Sequence, residues 1–347
     1  MKIISVVNQK GGCGKTTLAV NMAAALAKLG YETLLIDLDP QAHATYALGY
    51  TKNSKITKTA YDLFAPLSDG EQISYEDMII NDRTKLSFIP SNMMLSTAEI
   101  SLGDISGAAS ILNDHLANEF FSKYDYILVD SPPSFGFLTL NSIYSSNLIL
   151  VPVDISYFSF NGVNSIYRVT SLLEKETGKK PDLHFMLNIF DGRSKFSREF
   201  VKVAEEKLGK YLFDTKIRSS VRLREAAQEG KTIFEHDSKS SSALDFYNAT
   251  CELVNIDSKE VDTIIKEFFL NAPSAGSVYV LGDFNGWKRT EANKLSRLED
   301  GKWSAHYHLP KGRYRYKYLV DGNWVHDPNN ERAEPNIFGS VDSIAEF

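Results

Sequence analysis

Cysteines, long apolar runs and targeting segments are scarce or missing in this sequence. Two cysteines, Cys13 and Cys251, stand among 347 residues, which gives no basis for a disulfide framework. No apolar run is long enough to span a bilayer, and a strand pattern occupies the N-terminus where a signal peptide would stand. We therefore expect a cytoplasmic protein without a membrane partner.

Positive charge is also in short supply, since the formal net charge is −6. This balance argues against a protein that coats nucleic acid with its whole surface. The segment from Arg193 to Lys231 is an exception, with 11 Lys and Arg residues against 6 Asp and Glu. It is either an ordinary solvated helix face or a phosphate-binding surface, whose binding would depend on salt and not on base sequence. The candidates for phosphate contacts are Arg193, Lys195, Arg198, Lys202, Lys216, Arg218, Arg222 and Arg224.

A glycine-rich loop near the N-terminus carries the strongest functional signal. The stretch 9–17 (QKGGCGKTT) lies between a strand pattern and a helical pattern, which is the setting of a phosphate-binding P-loop. Its glycines let backbone N–H groups approach phosphate oxygens. Lys15 can reach the β- and γ-phosphates, and Thr16 can ligate Mg²⁺. The predicted nucleotide-binding residues are Gly11, Gly12, Cys13, Gly14, Lys15, Thr16 and Thr17.

Carboxylates stand at the ends of two apolar strand patterns. Asp37 and Asp39 end the run that starts at Thr33, and Asp130 ends the run 126–130. Because ligands of open α/β sheets gather at the carboxyl ends of the strands, these side chains are expected beside the P-loop. Asp130 is the predicted Mg²⁺-holding carboxylate, directly or through water, while Asp37 is expected to be structural. Asn188, in a later apolar run, is a candidate for contact with the nucleotide base.

Strand and helix patterns alternate through the first 256 residues. Besides 33–38 and 126–130, strand patterns lie at 86–90, 148–153, 183–189 and 210–217. Strands spaced by helices form right-handed crossovers, and continuous apolar runs fit strands that are covered on both faces. The predicted fold of residues 1–256 is an α/β P-loop NTPase domain with a doubly wound, mostly parallel sheet. The chain length leaves room for a second domain.

The loop and the carboxylates together resemble the ParA/MinD family of ATPases, which has a deviant Walker A box. Gln9 stands where the standard P-loop has glycine, and Lys10 adds a second lysine at the head of the loop. The segments DLDPQ at 37–41 and DSPPS at 130–134 match further family motifs, and the likeness covers roughly residues 1–256.

This resemblance implies ATP and Mg²⁺ as cofactors, a catalytic set and a set of partners. The implied catalytic residues are Lys10, Lys15, Asp39 and Asp130. Lys10 would reach across an ATP-dependent homodimer to the partner's phosphates, and Asp39 would orient the attacking water. The dimer would bind DNA nonspecifically, which places the ATP-bound protein on the nucleoid, and a ParB-like activator would stimulate slow hydrolysis. The family's proline before the V-R-L motif is missing here, and Arg218 is displaced by one position.

The pattern changes to short alternating strands from residue 257 onward. A linker and a first strand ending at Leu270 precede strand patterns at 278–281, 303–309 and 314–320. This rhythm predicts a small all-β immunoglobulin-like (E-set) sandwich over 257–347. Trp303 lies within an alternating strand and is expected in the core. Trp287 and Trp324 follow turns and are expected to be exposed, where their rings could stack on sugars.

The second domain resembles the glycogen-binding module of the β subunit of AMP-activated protein kinase. The resemblance implies that Trp287, Lys317 and Trp324 hold an α-glucan. A sugar-clasping loop of that family is matched by Phe338, Ser340 and Asp342. Asp342 replaces a usual asparagine and therefore lacks the NH₂ donor.

Two alternative functions stay open at this stage. The first is a plasmid or chromosome partition ATPase whose sandwich only contacts a protein adaptor. The second is a nucleotide-gated regulator of glucan metabolism that does not bind DNA.

Overall fold

A computed structural model describes most of the chain as two compact units. The described residues are 1–51, 54, 56–65, 73–102, 107–156, 159–257, 263–289, 293–298, 301–310, 312–336 and 339–347. The first unit is Met1–Phe246 and the second is Tyr247–Phe347. Among the described helices, none has both the length and the apolar character that crossing a membrane requires. The predicted linker residues 258–262 and Phe338 lie outside the described residues.

The first unit is built on a seven-stranded sheet with the order β3-β4-β2-β5-β1-β6-β7. The strands are β1 Lys2–Val6, β2 Thr33–Asp37, β3 Ile80–Arg83, β4 Leu86–Ile89, β5 Tyr126–Asp130, β6 Leu148–Asp154 and β7 Asp182–Asn188. Every pairing is parallel except that of β3 with β4. All five residues of β2 and of β5 are buried, as expected for central strands covered on both faces. The predicted doubly wound, mostly parallel sheet is confirmed.

Helices connect the strands of this sheet. They are α1 Lys15–Lys28, α2 His43–Ala47, α3 Leu95–Leu102, α4 Ile111–Leu116, α5 Phe137–Ser145, α6 Ser159–Thr177, α7 Lys195–Leu208, α8 Val221–Gln228 and α9 Ile233–His236. A last helix, α10 Ser241–Asp257, begins in the first unit and ends in the second. Helix α1 buries Leu18, Met22 and Leu26, which recur at helical spacing along one face. Gly30 follows it with φ +101°, a left-handed conformation that glycine adopts without strain.

Two strand assignments differ from the sequence prediction. The strand predicted at 210–217 is wrong, because this segment makes only isolated bonds along β7, from the amides of Phe213 and Ile217 to the carbonyls of Phe185 and Leu187. No continuous ladder forms, so its apolar side chains are buried without a strand. The sequence pattern also gave no sign of β3, which is short, polar and at the edge of the sheet.

The second unit contains two antiparallel sheets. Their orders are β10-β11-β8 and β13-β12-β15-β14, with β9 paired to β12. The strands are β8 Thr263–Asn271, β9 Val278–Gly282, β10 Ser296–Arg297, β11 Lys302–Pro310, β12 Arg313–Val320, β13 Asn323–Val325, β14 Ala333–Pro335 and β15 Val341–Glu346. A shared core between the sheets includes Phe268, Trp303 and Tyr318. The predicted all-β character is confirmed from β8 onward, and Trp303 is in the core as expected. The second unit also includes residues 247–257 of helix α10.

Candidate functional site

The P-loop lies between the end of β1 and the start of α1. Gly12 and Gly14 have φ values of +75° and +86°, which only glycine adopts without strain. A Cβ atom on Gly14 would also lie 2.3 Å from Nδ2 of Asn188. Glycine is therefore required at this turn, and the turn directs the first N–H groups of α1 toward the loop, where an anion is favoured.

A cavity of about 820 Å³ opens at the loop. It is lined by predicted residues of the nucleotide site, namely Gly11, Gly12, Gly14, Lys15, Thr16, Thr17, Asp39 and Asn188. Cys13 is fully buried behind the loop, where its thiol donates a hydrogen bond to the Lys10 carbonyl oxygen at 3.2 Å. Sequence reasoning missed His43, Tyr46, Leu223 and Lys231 in the cavity wall, because no local motif marks them.

Asn188 supports the loop from the end of β7. Its Nδ2 donates to the Cys13 carbonyl oxygen at 2.8 Å, and its Oδ1 accepts from the Ile189 amide at 3.0 Å. Both ends of the side chain are thus engaged with the backbone. Asn188 lines the cavity as predicted, and its contact with a base stays a prediction.

Asp130 has the environment of a cation ligand. Its side chain is fully buried, and neither carboxylate oxygen has a hydrogen-bond partner among the described residues. Burial raises the pKa of Asp130 well above its usual range, and the negative charge of Asp37 raises it further. The Thr16 hydroxyl and the Lys15 ammonium counteract this shift. An oxygen-preferring cation such as Mg²⁺ fits this set of groups, with Asp130 and Thr16 as the residues that would hold it.

The neighbouring Asp37 organises the loop after β2. Its Oδ2 accepts from the amide and the hydroxyl of Thr45, at 2.9 and 2.7 Å, and its Oδ1 accepts from the Asp39 amide at 3.1 Å. Burial nevertheless raises the pKa of Asp37 to about 7. Asp39 lies at the cavity wall with its Oδ1 accepting from the Gln41 amide at 2.9 Å. Asp37 therefore has the structural role expected of it, and Asp39 is the carboxylate that faces the cavity.

The Lys10 ammonium group is hydrogen-bonded to two residues of the same chain. Its Nζ lies 2.5 Å from Oδ2 of Asp154 and 2.6 Å from Oγ of Ser156. Both partners follow or end β6, and Ser159 donates a further hydrogen bond to Asp154 at 2.8 Å. Lys15 instead donates to the Lys10 carbonyl oxygen at 3.1 Å and lines the cavity. The two lysines of the loop thus lie in different environments.

Most of the predicted DNA-contact residues are engaged within the first unit. Arg193 pairs with Asp191, Lys195 with Glu199, Arg222 with Glu225, and Arg218 bidentately with Asp245. Arg198 donates to the carbonyl oxygens of Gly192 and Arg193. Arg224 has no carboxylate partner in the described part of the chain. Arg218 and Arg224 line the nucleotide cavity, so these two are placed beside the P-loop.

The second unit brings together the residues predicted to bind a sugar. The ring centroids of Trp287 and Trp324 are 6.0 Å apart. Trp324 is 52% exposed as expected, whereas Trp287 is only half-buried rather than exposed, because its ring packs against Tyr279, Leu281 and Leu319. Lys317 is buried, with its Nζ donating to Oγ of Ser340 at 2.7 Å and lying 3.4 Å from Oδ1 of Asp342. Asp342 is also buried and accepts from Nδ2 of Asn336 at 2.6 Å. The exposed part of this face is therefore aromatic, and its charges are paired.

Comparisons with known proteins point to one family for each unit. Residues 1–185 match a family described as an AAA domain, and residues 271–346 match one described as the glycogen recognition site of AMP-activated protein kinase. The chromosome partitioning protein ParA of Myxococcus xanthus is 34% identical over 259 residues, covering 74% of this chain and 89% of the relative. The cell division protein PomZ of that organism is 33% identical over 240 residues, covering 69% of this chain and 73% of the relative.

A solved structure shows the same likeness for the first unit. Cobyrinic acid a,c-diamide synthase from Mycobacterium smegmatis, with a bound ATP analogue and magnesium, superposes with a TM-score of 0.61 at 25% identity. The alignment covers 74% of this chain and 96% of that one.

Proposed function

The chain belongs to the ParA family of ATPases, and from this premise we propose that it uses ATP-driven dimerisation on DNA to position a cargo that contains α-glucan. The family establishes a partition-type ATPase for which ATP and Mg²⁺ are the cofactors. The observation that carries the nucleotide part is the buried, unpartnered carboxylate of Asp130 beside the Lys15-Thr16 end of the P-loop.

Different residues of the cavity would bind the phosphates, the Mg²⁺ ion and the attacking water. The P-loop amides and Lys15 would bind the phosphates, and Thr16 with Asp130 would hold Mg²⁺, which neutralises phosphate charge when bound. Asp39, at the cavity wall, would orient the attacking water. Its Oδ1 is engaged by the Gln41 amide, so Oδ2 is the oxygen that would contact the water.

Lys10 would act in trans. For that it must leave Asp154 and Ser156 and reach the phosphates bound by a second copy. A positive charge delivered to a developing phosphoryl charge stabilises the transition state, as an arginine finger does. The contact of Lys10 with Asp154 would then belong to the single chain and be exchanged for the partner's phosphates in the dimer.

Nonspecific DNA would bind the dimer through the predicted basic residues of 193–231. The intramolecular ion pairs of Arg193, Lys195 and Arg222 are solvent-exposed, so exchange of a carboxylate for a DNA phosphate costs little. This binding would place the ATP-bound protein on the nucleoid of the cytoplasm, and a ParB-like protein would stimulate its release. Steep loss of binding with added salt is the expected signature.

The second unit would anchor an α-glucan such as glycogen. The family match over 271–346 and the adjacent rings of Trp287 and Trp324 support this assignment. Flat aromatic rings suit stacking on sugar rings. The exposed Ser340, which accepts a hydrogen bond from Lys317 at 2.7 Å, would add a polar contact to the sugar.

Co-sedimentation with glycogen tests the proposal. The full chain and its Trp287→Ala/Trp324→Ala variant are compared with and without ATP. We expect binding that the double variant loses, and any ATP dependence would link glucan binding to the dimer cycle. If neither protein sediments with glycogen, the sandwich is a protein-interaction module and partition of another cargo becomes the function. Glucan binding without DNA binding at low salt would instead favour the regulator of glucan metabolism.

A further inference from the structure

A buried carboxylate lies at the N–H edge of the Trp287 ring. Asp283, in the short turn after β9, is 8% exposed and accepts hydrogen bonds from three parts of the second unit. The Trp287 indole Nε1–H donates to it at 3.0 Å, and the Arg315 amide at 2.7 Å. Two further donors, the hydroxyl of Tyr247 at 3.3 Å and the thiol of Cys251 at 3.4 Å, come from helix α10.

Helix α10 contacts this turn over successive helical turns. Tyr247 and Cys251 are four residues apart and therefore share one face of the helix. One turn later, Nδ2 of Asn255 donates to the Asp283 carbonyl oxygen at 2.5 Å. These residues precede the segment that matches the glycogen-recognition family, which begins at residue 271. The second unit thus has a support for its aromatic face that the family pattern does not include.

Trp287 needs such a support because of its backbone. Its φ of +59° lies in the left-handed region, which a bulky side chain rarely adopts and which persists only where surrounding contacts enforce it. The ring is flanked by the buried Tyr247 at a centroid distance of 6.1 Å and by the exposed Trp324 at 6.0 Å. The indole N–H bond to Asp283 fixes one edge of this ring.

We propose that Asp283 is a positioning residue for the sugar-binding ring of Trp287, and that Tyr247 and Cys251 of α10 hold Asp283 in place. The proposal rests on the proposed α-glucan binding of the second unit. It predicts that residues 247–255 of α10 are part of the glucan-binding machinery although no sugar touches them.

The first measurement follows the indole groups without any sugar. The chain has three tryptophans, so an indole ¹H–¹⁵N spectrum contains three signals, and Trp287→Phe identifies one of them. Tyr247→Phe, which removes only a hydroxyl, and Cys251→Ala are expected to shift the Trp287 signal. Asp283→Asn is expected to shift it further. Tyr316→Phe is the matched control, because the Tyr316 hydroxyl donates to a different carboxylate, Asp327, at 2.6 Å in the same unit.

The second measurement is the affinity of the full chain for maltoheptaose by calorimetry. Tyr247→Phe is expected to weaken binding about three- to tenfold, the effect of one lost hydrogen bond of about 1 kcal/mol. Tyr316→Phe is expected to lower the melting temperature similarly but to leave the affinity unchanged. A purely structural role of Tyr247 would move the melting temperature alone.

The outcomes separate this proposal from the proposed function. A Trp287 signal that stays in place in Tyr247→Phe and Cys251→Ala, with wild-type affinity for maltoheptaose, overturns the positioning role. A signal that shifts in a protein that binds no glucan supports the positioning of Trp287 by Asp283 and overturns glucan binding as its purpose.

Discussion

The two candidate sites differ in whether their buried charged groups have hydrogen-bond or ion-pair partners within the chain. At the nucleotide site, both oxygens of the buried Asp130 lack a partner among the described residues. On the face of the second unit, the buried Lys317 and Asp342 pair with each other and with neighbouring polar groups. The first site is therefore incomplete without a cation and a nucleotide. The second is electrostatically complete and offers a ligand mainly its aromatic rings.

Replacing the unpartnered carboxylate should give the largest effect. Asp130→Asn is expected to lower ATP hydrolysis by about a hundredfold or more, since the charge that holds Mg²⁺ is lost. The same variant should melt at a higher temperature than wild type in EDTA, because a buried ionisable group that is costly to charge has been replaced by a neutral amide. Phosphate release and thermal melting measure the two effects. The exposed Asp114→Asn is the control and should change neither.

Retained hydrolysis together with a lower melting temperature in Asp130→Asn would contradict the view that Asp130 needs a cation as its partner. The carboxylate would then be stabilised by protein groups alone.

The raised pKa values of the buried carboxylates predict that the free energy of unfolding of the nucleotide-free protein depends on pH. Binding of nucleotide and Mg²⁺ should remove this dependence. Asp37 has a folded-state pKa of about 7 against an ordinary value of 3.8. The folded chain therefore binds more protons than the unfolded chain between these values, so the free energy of unfolding falls as pH rises from about 4 to 7. Between pH 5 and pH 8 the loss is roughly 3 kcal/mol for a shift of this size. Urea unfolding in EDTA at pH 5 and pH 8 measures it.

Asp37→Asn is the matched variant for this measurement and should flatten the pH dependence. Binding of Mg²⁺ and nucleotide should release protons between about pH 4 and pH 7, where the Asp37 carboxyl of the free protein holds a proton, and calorimetry in buffers of different ionisation enthalpy detects this release. An unchanged slope in Asp37→Asn would show that another group titrates.

Variants of Lys10 and of its partner Asp154 test the proposed dimer. Lys10→Ala is expected to lower ATP-driven dimerisation and hydrolysis at least tenfold, while nucleotide binding by one chain persists because Lys15 and the loop remain. Asp154→Asn should have the opposite effect and allow dimerisation at lower ATP, since it releases Lys10. Light scattering with a slowly hydrolysed ATP analogue reports both. Equal dimerisation of the two variants would rule out the exchange of partners by Lys10.

The smallest effect is expected on the face of the second unit. Trp324→Ala should weaken glucan binding about three- to tenfold with little change in melting temperature, because the ring is half exposed. Lys317→Ala should act mainly on the melting temperature, since it leaves the buried Asp342 without its cation. A larger loss of affinity in Lys317→Ala at unchanged stability would show that the ammonium, rather than the rings, binds the sugar.

Local patterns were sufficient for the P-loop and for the strands that carry its carboxylates. The helical stripe of Leu18, Met22 and Leu26 and the buried run of β5 each follow from neighbouring residues in sequence. The partner of Lys10 could not be predicted in this way, because Asp154 is 144 residues away and is placed by the pairing of β1 with β6.

The apolar segment 210–217 shows a second limit of sequence patterns. Burial of Leu212 and Phe213 does not require a ladder, so hydrophobicity predicted a strand where only isolated bonds form. In the second unit, the hydrogen bonds from Tyr247 and Cys251 to Asp283 could not be predicted from the sequence, because both residues fit the pattern of an ordinary buried helix face. Only the tertiary structure shows that both donate to Asp283.

The contact between Lys10 and Asp154 would affect the rates at which the proposed dimer forms and separates. Two groups tethered in one chain meet at an effective concentration that is typically in the millimolar range. In the proposed dimer, a second copy would have to outcompete that internal partner before it could use Lys10, so pairing would begin slowly and rise steeply as ATP occupancy increases. After hydrolysis, recapture of Lys10 by Asp154 would make separation hard to reverse. The interval between successive rounds of pairing would then depend on how fast Lys10 leaves Asp154 and returns to it.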